Sequence, residues 1–139
     1  MKEQIIQTFE EEFSFIKDKF EIIDILSHNT PMERDVIKNL ELPSKTYNIV
    51  WHPGVYVFIG NDTIYKVGVS MHNSRRRVMD HLEDKTGNNE HCIWDINNYS
   101  DKSILLFNVK DTNDKHWLLA LEAFFEIRFN PLIPSRRIG

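Results

Sequence analysis

The chain has 139 residues, 41% hydrophobic and 12% aromatic, enough to bury one core and too few for two independent enzymatic domains. Its single cysteine, Cys92, excludes an internal disulfide and a multi-cysteine zinc site. No apolar run approaches the roughly 18 residues of a membrane span, so a cytoplasmic address without signal peptide or anchor is expected. The net charge of −4 argues against a long basic groove for nucleic acid, but the acidity is local: residues 1–50 hold 6 Lys/Arg against 10 Asp/Glu, whereas residues 51–139 hold 11 of each.

From Lys2 to about Ser27, the apolar residues Ile5, Phe9, Phe13, Ile16, Phe20 and Ile23 recur at spacings of four and three, which predicts one long amphipathic helix. The heptad-like spacing permits docking on the chain's own domain or pairing with a second copy or another protein, and the acidity makes this helix a poor clamp on DNA. Thr30 as N-cap, Pro31 at the first helical position and Glu33 completing a capping box predict a short helix to about Leu40. Pro43 and His52-Pro53-Gly54 then break the pattern and divide the chain into a helical extension, 1–45, and a main domain, 46–139.

The β-branched and aromatic stretch from Gly54 to Ser70, interrupted by Gly60-Asn61-Asp62, reads as a β-hairpin. A three-residue loop over Gly60 to Asp62 would pair Ile59 with Thr63 and set Tyr56 opposite Lys66; a two-residue loop would give Tyr56 another partner. Asn73 or Ser74 can cap a helix from Arg75 to about Asp84, followed by a polar loop from Lys85 to Asn89; the stretch from Glu90 to Tyr99 is ambiguous. Ser103 to Lys110 reads as a buried strand. The Asp111-Thr112-Asn113-Asp114 cluster caps a helix from about Lys115 to Phe129, which Asn130-Pro131 stops. The expected fold is α+β, a small three-stranded, mainly antiparallel sheet flanked by helices.

Gly54-Val55-Tyr56, then Tyr65-Lys66-Val67-Gly68, then Arg77 with His81 four residues on, then Glu122 in the last helix, together resemble the GIY-YIG nuclease family over residues 54–134. The resemblance implies metal-dependent hydrolysis of DNA phosphodiester bonds, with Mg²⁺ or Mn²⁺ as cofactor and DNA as partner. Tyr56 falls at the first motif's tyrosine, where it would take the proton of an attacking water. A phenol of pKa about 10 needs cationic neighbours for that task. Lys66 stands where the second motif usually carries its tyrosine, and Tyr65, one residue earlier, is its rival.

Arg77 and His81 share a helix face, one offering a bidentate phosphate contact and the other a titratable donor; a solvated basic turn is the plainer reading of Arg75 to Arg77, and for Arg75 and Arg136 it is the one adopted. Glu122 interrupts the apolar run from His116 to Phe125, where a carboxylate withdrawn from water calls for a cation; magnesium is satisfied by one carboxylate with waters and phosphate oxygens. The competing reading places Glu122, Glu126 and Lys115 on an exposed stripe. The family's late asparagine, two or three residues past a proline, meets Pro134 here; Asn130, just before Pro131, is a candidate substitute whose reach to the site the spacing leaves open. A cleavage-inactive nucleic-acid or protein binding module is therefore the alternative function. His91 and Cys92, adjacent with no second pair, read as structural.

Overall fold

The computed structural model describes residues 1–26, 31–40, 42 and 48–135. Its centre is a four-stranded antiparallel sheet: β1 (Phe20–Asp24), β2 (Gly54–Gly60), β3 (Thr63–Ser70) and β4 (Lys102–Val109), in the order β1-β4-β2-β3. The α+β class is as expected, with one strand more than the three anticipated.

The fourth strand comes from the segment predicted to be helical. α1 spans Lys2–Glu12 and ends there; a 3-10 turn at Lys17–Lys19 leads into β1, whose residues pair with β4 from Phe20↔Val109 to Asp24↔Leu105. The spacing of four and three marked burial without marking the backbone. Phe9, Phe13, Ile16 and Phe20 all enter one core, but Phe-Glu-Ile-Ile-Asp is β-prone, and the β4 edge offers it backbone partners that a helix would leave unused. Ile5 and Phe9 of α1 are buried in the same core, so the N-terminal segment is built into the sheet and one of its covering layers.

α2 spans Arg34–Asn39 and starts three residues later than anticipated. Met32 cannot enter the helix, because its side chain is fully buried and its backbone N–H and C=O are both bonded to the Asn97 amide. Thr30 and Pro43 lie outside the described residues.

The hairpin turn has two residues. Asn61 and Asp62 both have positive φ, 53° and 55°, the conformation that a tight turn joining right-twisted strands needs and that Asn and Asp tolerate. Gly60 stays in β2 opposite Thr63 and is a glycine for a different reason: a Cβ there would strike the Ile96 side chain. Ile59 then pairs with Ile64, and a bulge at Tyr65 sets Phe58 opposite Lys66 and Tyr56 opposite Gly68. The three-residue register, with Tyr56 facing Lys66, is thereby corrected.

α3 spans Ser74–Asp84, its first turn capped by Asn73, whose side chain accepts from the Arg76 N–H at 3.0 Å. The ambiguous stretch forms a 3-10 helix at Ile93–Asn98. A further 3-10 turn at Thr112–Trp117 precedes α4, Leu118–Phe129, so the last regular helix begins three residues late. Asn130 closes α4 with φ 48°.

Both sheet faces are covered. Val55, Val57, Ile59, Val67, Leu105 and Phe107 pack against α1 and the Leu118, Leu121 and Phe125 stripe of α4; Tyr56, Phe58, Ile104 and Leu106 pack against Ile37 of α2 and Val78, Met79 and Leu82 of α3. The edge strand β3 thus lies between α3 on one face and α4 on the other, and side chains from both helices meet around it. Among the described residues no helix is long and apolar enough to cross a membrane.

Candidate active site

A cleft of about 830 Å³ opens beside β3, and Tyr56, Lys66, Arg77, His81 and Glu122 all line it. They arrive from four elements that are remote in sequence: β2, β3, α3 and α4.

Tyr56 is placed by a glycine. Gly68 faces it across the hairpin, and the phenol ring lies over Gly68 so closely that an added Cβ would collide with three ring and hydroxyl atoms. The tripeptides Gly54-Val55-Tyr56 and Lys66-Val67-Gly68 are therefore two halves of one packing arrangement. Gly54 serves similarly, since Asn108 packs where its Cβ would be, accepting from the Ser74 hydroxyl at 2.7 Å and donating to the Ile49 carbonyl at 2.7 Å. This network ties the start of α3 to the sheet.

The Tyr56 hydroxyl lies 2.8 Å from Nε2 of His81, whose Nδ1 lies 2.7 Å from the Thr86 hydroxyl. Burial, followed by the charges of Arg77 and Lys66, lowers the His81 pKa from 6.5 to about 3, so the ring is neutral at physiological pH. A neutral imidazole has one donor and one acceptor nitrogen, which makes Tyr56, His81 and Thr86 a continuous hydrogen-bonded chain.

Arg77 is half exposed at the cleft, with a side-chain exposure of 48%, and its 3.9 Å contact with Asp80 is a surface pairing of little strength that a phosphate can displace. Lys66 shares the sheet face with Tyr56 as its diagonal neighbour across the strands and acts electrostatically on both His81 and Glu126.

Tyr65 goes elsewhere. The bulge turns it to the neighbourhood of Tyr99, Asp95 and His91, it does not line the cleft, and its pKa is pushed up to about 12 by burial and then by the Tyr99 hydrogen bond. Of the two rivals in the second motif, Lys66 is the residue in the cleft.

Glu122 is 2% exposed and Glu126 7%, so the exposed-stripe reading of α4 fails for both glutamates, while Lys115 is exposed. Glu126, one turn beyond Glu122, accepts from the Ser135 N–H at 2.8 Å; burial raises its pKa, partly offset by that bond and by Lys66. With Leu132 N–H bonded to the Ile64 carbonyl and Ile133 N–H to the Tyr65 carbonyl, Glu126 pins the segment after α4 as a wall of the cleft. Ile133, Pro134 and Ser135 stand where the resemblance calls for an asparagine; Asn130 is exposed and does not line the cleft, whereas Asn88 and Asn89 do, from the loop after α3.

Two residues were misjudged from sequence. Arg75 is 1% exposed: its guanidinium donates to the carbonyls of Ile37, Lys38 and Leu40, closing the C-terminal end of α2, and stacks 4.5 Å over Trp51. Its spacing was a signal, since residues 75, 78, 79 and 82 form the buried face of α3, with Arg77 and His81 on the cleft side. Glu126 shares its stripe with Glu122 at i+4, which marked it in the same way. Arg136 lies outside the described residues. Cys92 donates to the Lys85 carbonyl at 3.1 Å and His91 stands edge-on to Tyr65, both within the local structure.

Among the described residues no group of three or more His, Cys, Asp or Glu is placed to hold a metal by itself. The donor set still suits magnesium, which takes one or two carboxylates and fills its shell with waters and phosphate oxygens: Glu122 and Asp84 both line this open cleft. Compared with protein-family models, curated proteins and solved structures, the chain matches none of them.

Proposed function

We propose that the chain is an endonuclease of the GIY-YIG type that hydrolyses DNA phosphodiester bonds with one divalent cation, Mg²⁺ or Mn²⁺, held at Glu122. The observation that carries this reading is the meeting of Tyr56, Lys66, Arg77, His81 and Glu122 on one cleft, although 66 positions separate the first from the last. A phosphodiester needs an acceptor for the proton of the attacking water, cations against the developing charge and access from solvent; these residue types supply the first two and the cleft they line supplies the third.

In this mechanism Tyr56, having given its own proton to solvent, is the phenolate that takes the proton of the water whose oxygen bonds to phosphorus, as the bond to the leaving oxygen breaks. Lys66 and Arg77 stabilise the phenolate and the phosphate. His81, neutral and bonded to Tyr56, orients and polarises the phenol; it is poorly suited to protonating the leaving group, a role that falls to solvent. A cation at Glu122 would supply Lewis-acid charge beside the phosphate.

The test is nicking of supercoiled plasmid and of branched DNA with Mg²⁺ or Mn²⁺ and with EDTA, comparing wild type with Glu122→Gln and Arg77→Ala. Metal-dependent cleavage lost in both folded variants is the expected result. Metal-independent DNA binding without cleavage would favour a binding module instead. The observation on that side is that Ile133, Pro134 and Ser135, not an asparagine, form the wall after α4.

A further inference from the structure

We propose that Thr86 is a positioning residue of the cleft: its hydroxyl donates to Nδ1 of His81 and fixes the ring in the tautomer whose Nε2–H is given to the Tyr56 oxygen. The choice of tautomer rests on the nuclease reading, through Tyr56 as the base; the Thr86–His81 contact itself does not.

Thr86 is held where this bond must form. α3 ends at Asp84, Lys85 takes a left-handed conformation with φ 50°, and the chain folds back so that the Thr86 N–H bonds to the His81 carbonyl at 3.1 Å while the Thr86 carbonyl accepts from the Ile93 N–H at 3.0 Å. With its backbone fixed at both groups, the hydroxyl sits 2.7 Å from Nδ1.

Two proton arrangements are open to the chain Thr86–His81–Tyr56. With the proton on Nδ1, His81 donates to Thr86, and the threonine's own proton is turned to solvent in the cleft. Tyr56 must then donate to Nε2, which ties its proton to the ring and leaves its oxygen without a donor from His81. With the proton on Nε2, the Thr86 proton is satisfied at Nδ1, the His81 proton is satisfied at the phenol oxygen, and the Tyr56 proton is not spent on His81. Only this arrangement places a donor on the oxygen that must be negative before Tyr56 can take a proton, which favours the phenolate.

The experiment labels the histidines with ¹⁵N in the whole chain and reads, from two-bond correlations across the His81 ring, which nitrogen carries the proton. Wild type and Thr86→Ser are expected to show Nε2–H. Thr86→Val, isosteric but without a donor, should lose that preference and cut kcat about tenfold with KM little changed, the equivalent of one hydrogen bond of about 1.4 kcal/mol. Thr86→Ser should stay within roughly threefold of wild type, on the same scale. A wild-type ring with its proton on Nδ1, or a Thr86→Val protein with Nε2–H and kcat unchanged, overturns the proposal. The expected tautomers in a chain that cleaves no DNA would uphold the Thr86 assignment and overturn the nuclease reading instead.

Discussion

Gly68→Ala tests the arrangement on which the site depends. The new methyl would overlap Cζ, Cε2 and the hydroxyl oxygen of Tyr56. The backbone of Tyr56 cannot retreat, because β2 is an interior strand bonded to β3 on one side and β4 on the other, and the edge strand β3 can move off only by breaking its pairing with β2. The Tyr56 ring must therefore swing off β3, which breaks its 2.8 Å bond to His81. Overpacking of this kind costs about 1–3 kcal/mol and the lost hydrogen bond about 1 kcal/mol more. For a chain of this length that is a fall in Tm of roughly 5–15 °C, read by circular dichroism. Cleavage should fall by two orders of magnitude or more, since misplacement of about 1 Å is enough for about a hundredfold. A double-mutant cycle separates this collision from a general dislike of alanine at the position. In a Tyr56→Ala background the ring is gone, and Gly68→Ala should then cost less than about 1 kcal/mol, leaving a coupling of about 1–3 kcal/mol. Equal costs in the two backgrounds would refute the packing of Tyr56 on Gly68.

Phe9→Ala should destabilise the whole chain by about 3–5 kcal/mol in urea unfolding, in one transition, because Phe9 meets Phe20 of β1 and Phe107 of β4 with centroids 5.3 Å and 5.1 Å away; an unchanged midpoint would mean that the N-terminal segment is appended rather than built in. Arg75→Ala should cost about 1–3 kcal/mol by exposing the carbonyls of Ile37, Lys38 and Leu40, whereas Arg76→Ala, on the surface, should stay within about 0.5 kcal/mol; similar values for both would contradict the buried cap. His81 takes up its proton near pH 6.5 when unfolded and near pH 3 when folded, so the unfolded chain binds more protons between those values. Its contribution is present above pH 6.5 and is lost as pH falls toward 3, with a slope approaching about 1.4 kcal/mol per pH unit. Glu126, raised in the fold, acts in the opposite sense: its contribution is present below its ordinary value of 4.5 and fades as pH rises through its folded value. His81→Gln should flatten the acid limb of a stability-against-pH curve, and an unaltered slope would show that His81 is not buried neutral.

Much of the site was legible because its chemistry lies in residue type and order. Two glycine-bearing tripeptides, an arginine and histidine four apart and a glutamate in an apolar run each carried a local signal, and of the six side chains these signals single out, all but Tyr65 line one cleft. Local rules also located the hairpin, α3, β4 and the close of α4, since caps, turn residues and apolar periodicity act over a few neighbouring positions. Other features were decided only by contacts between distant segments. Phe20–Asp24 is a strand because β4 offers an open edge, and no pattern within residues 2–27 reports on an edge some 80 positions away. Tyr65 leaves the cleft because of a bulge, and a one-residue shift in pairing reverses which side chain faces which side. Arg75 is buried because the carbonyl end of α2 stands above it, while Arg76, next to it, is exposed; chain chemistry is nearly the same for both, and position in the tertiary structure separates them. Apolar periodicity in the sequence determined which positions would be buried, since it reflects each segment's own balance with water. Which backbone form buried them, and which polar groups went in with them, was set by partners that only the folded chain brings together.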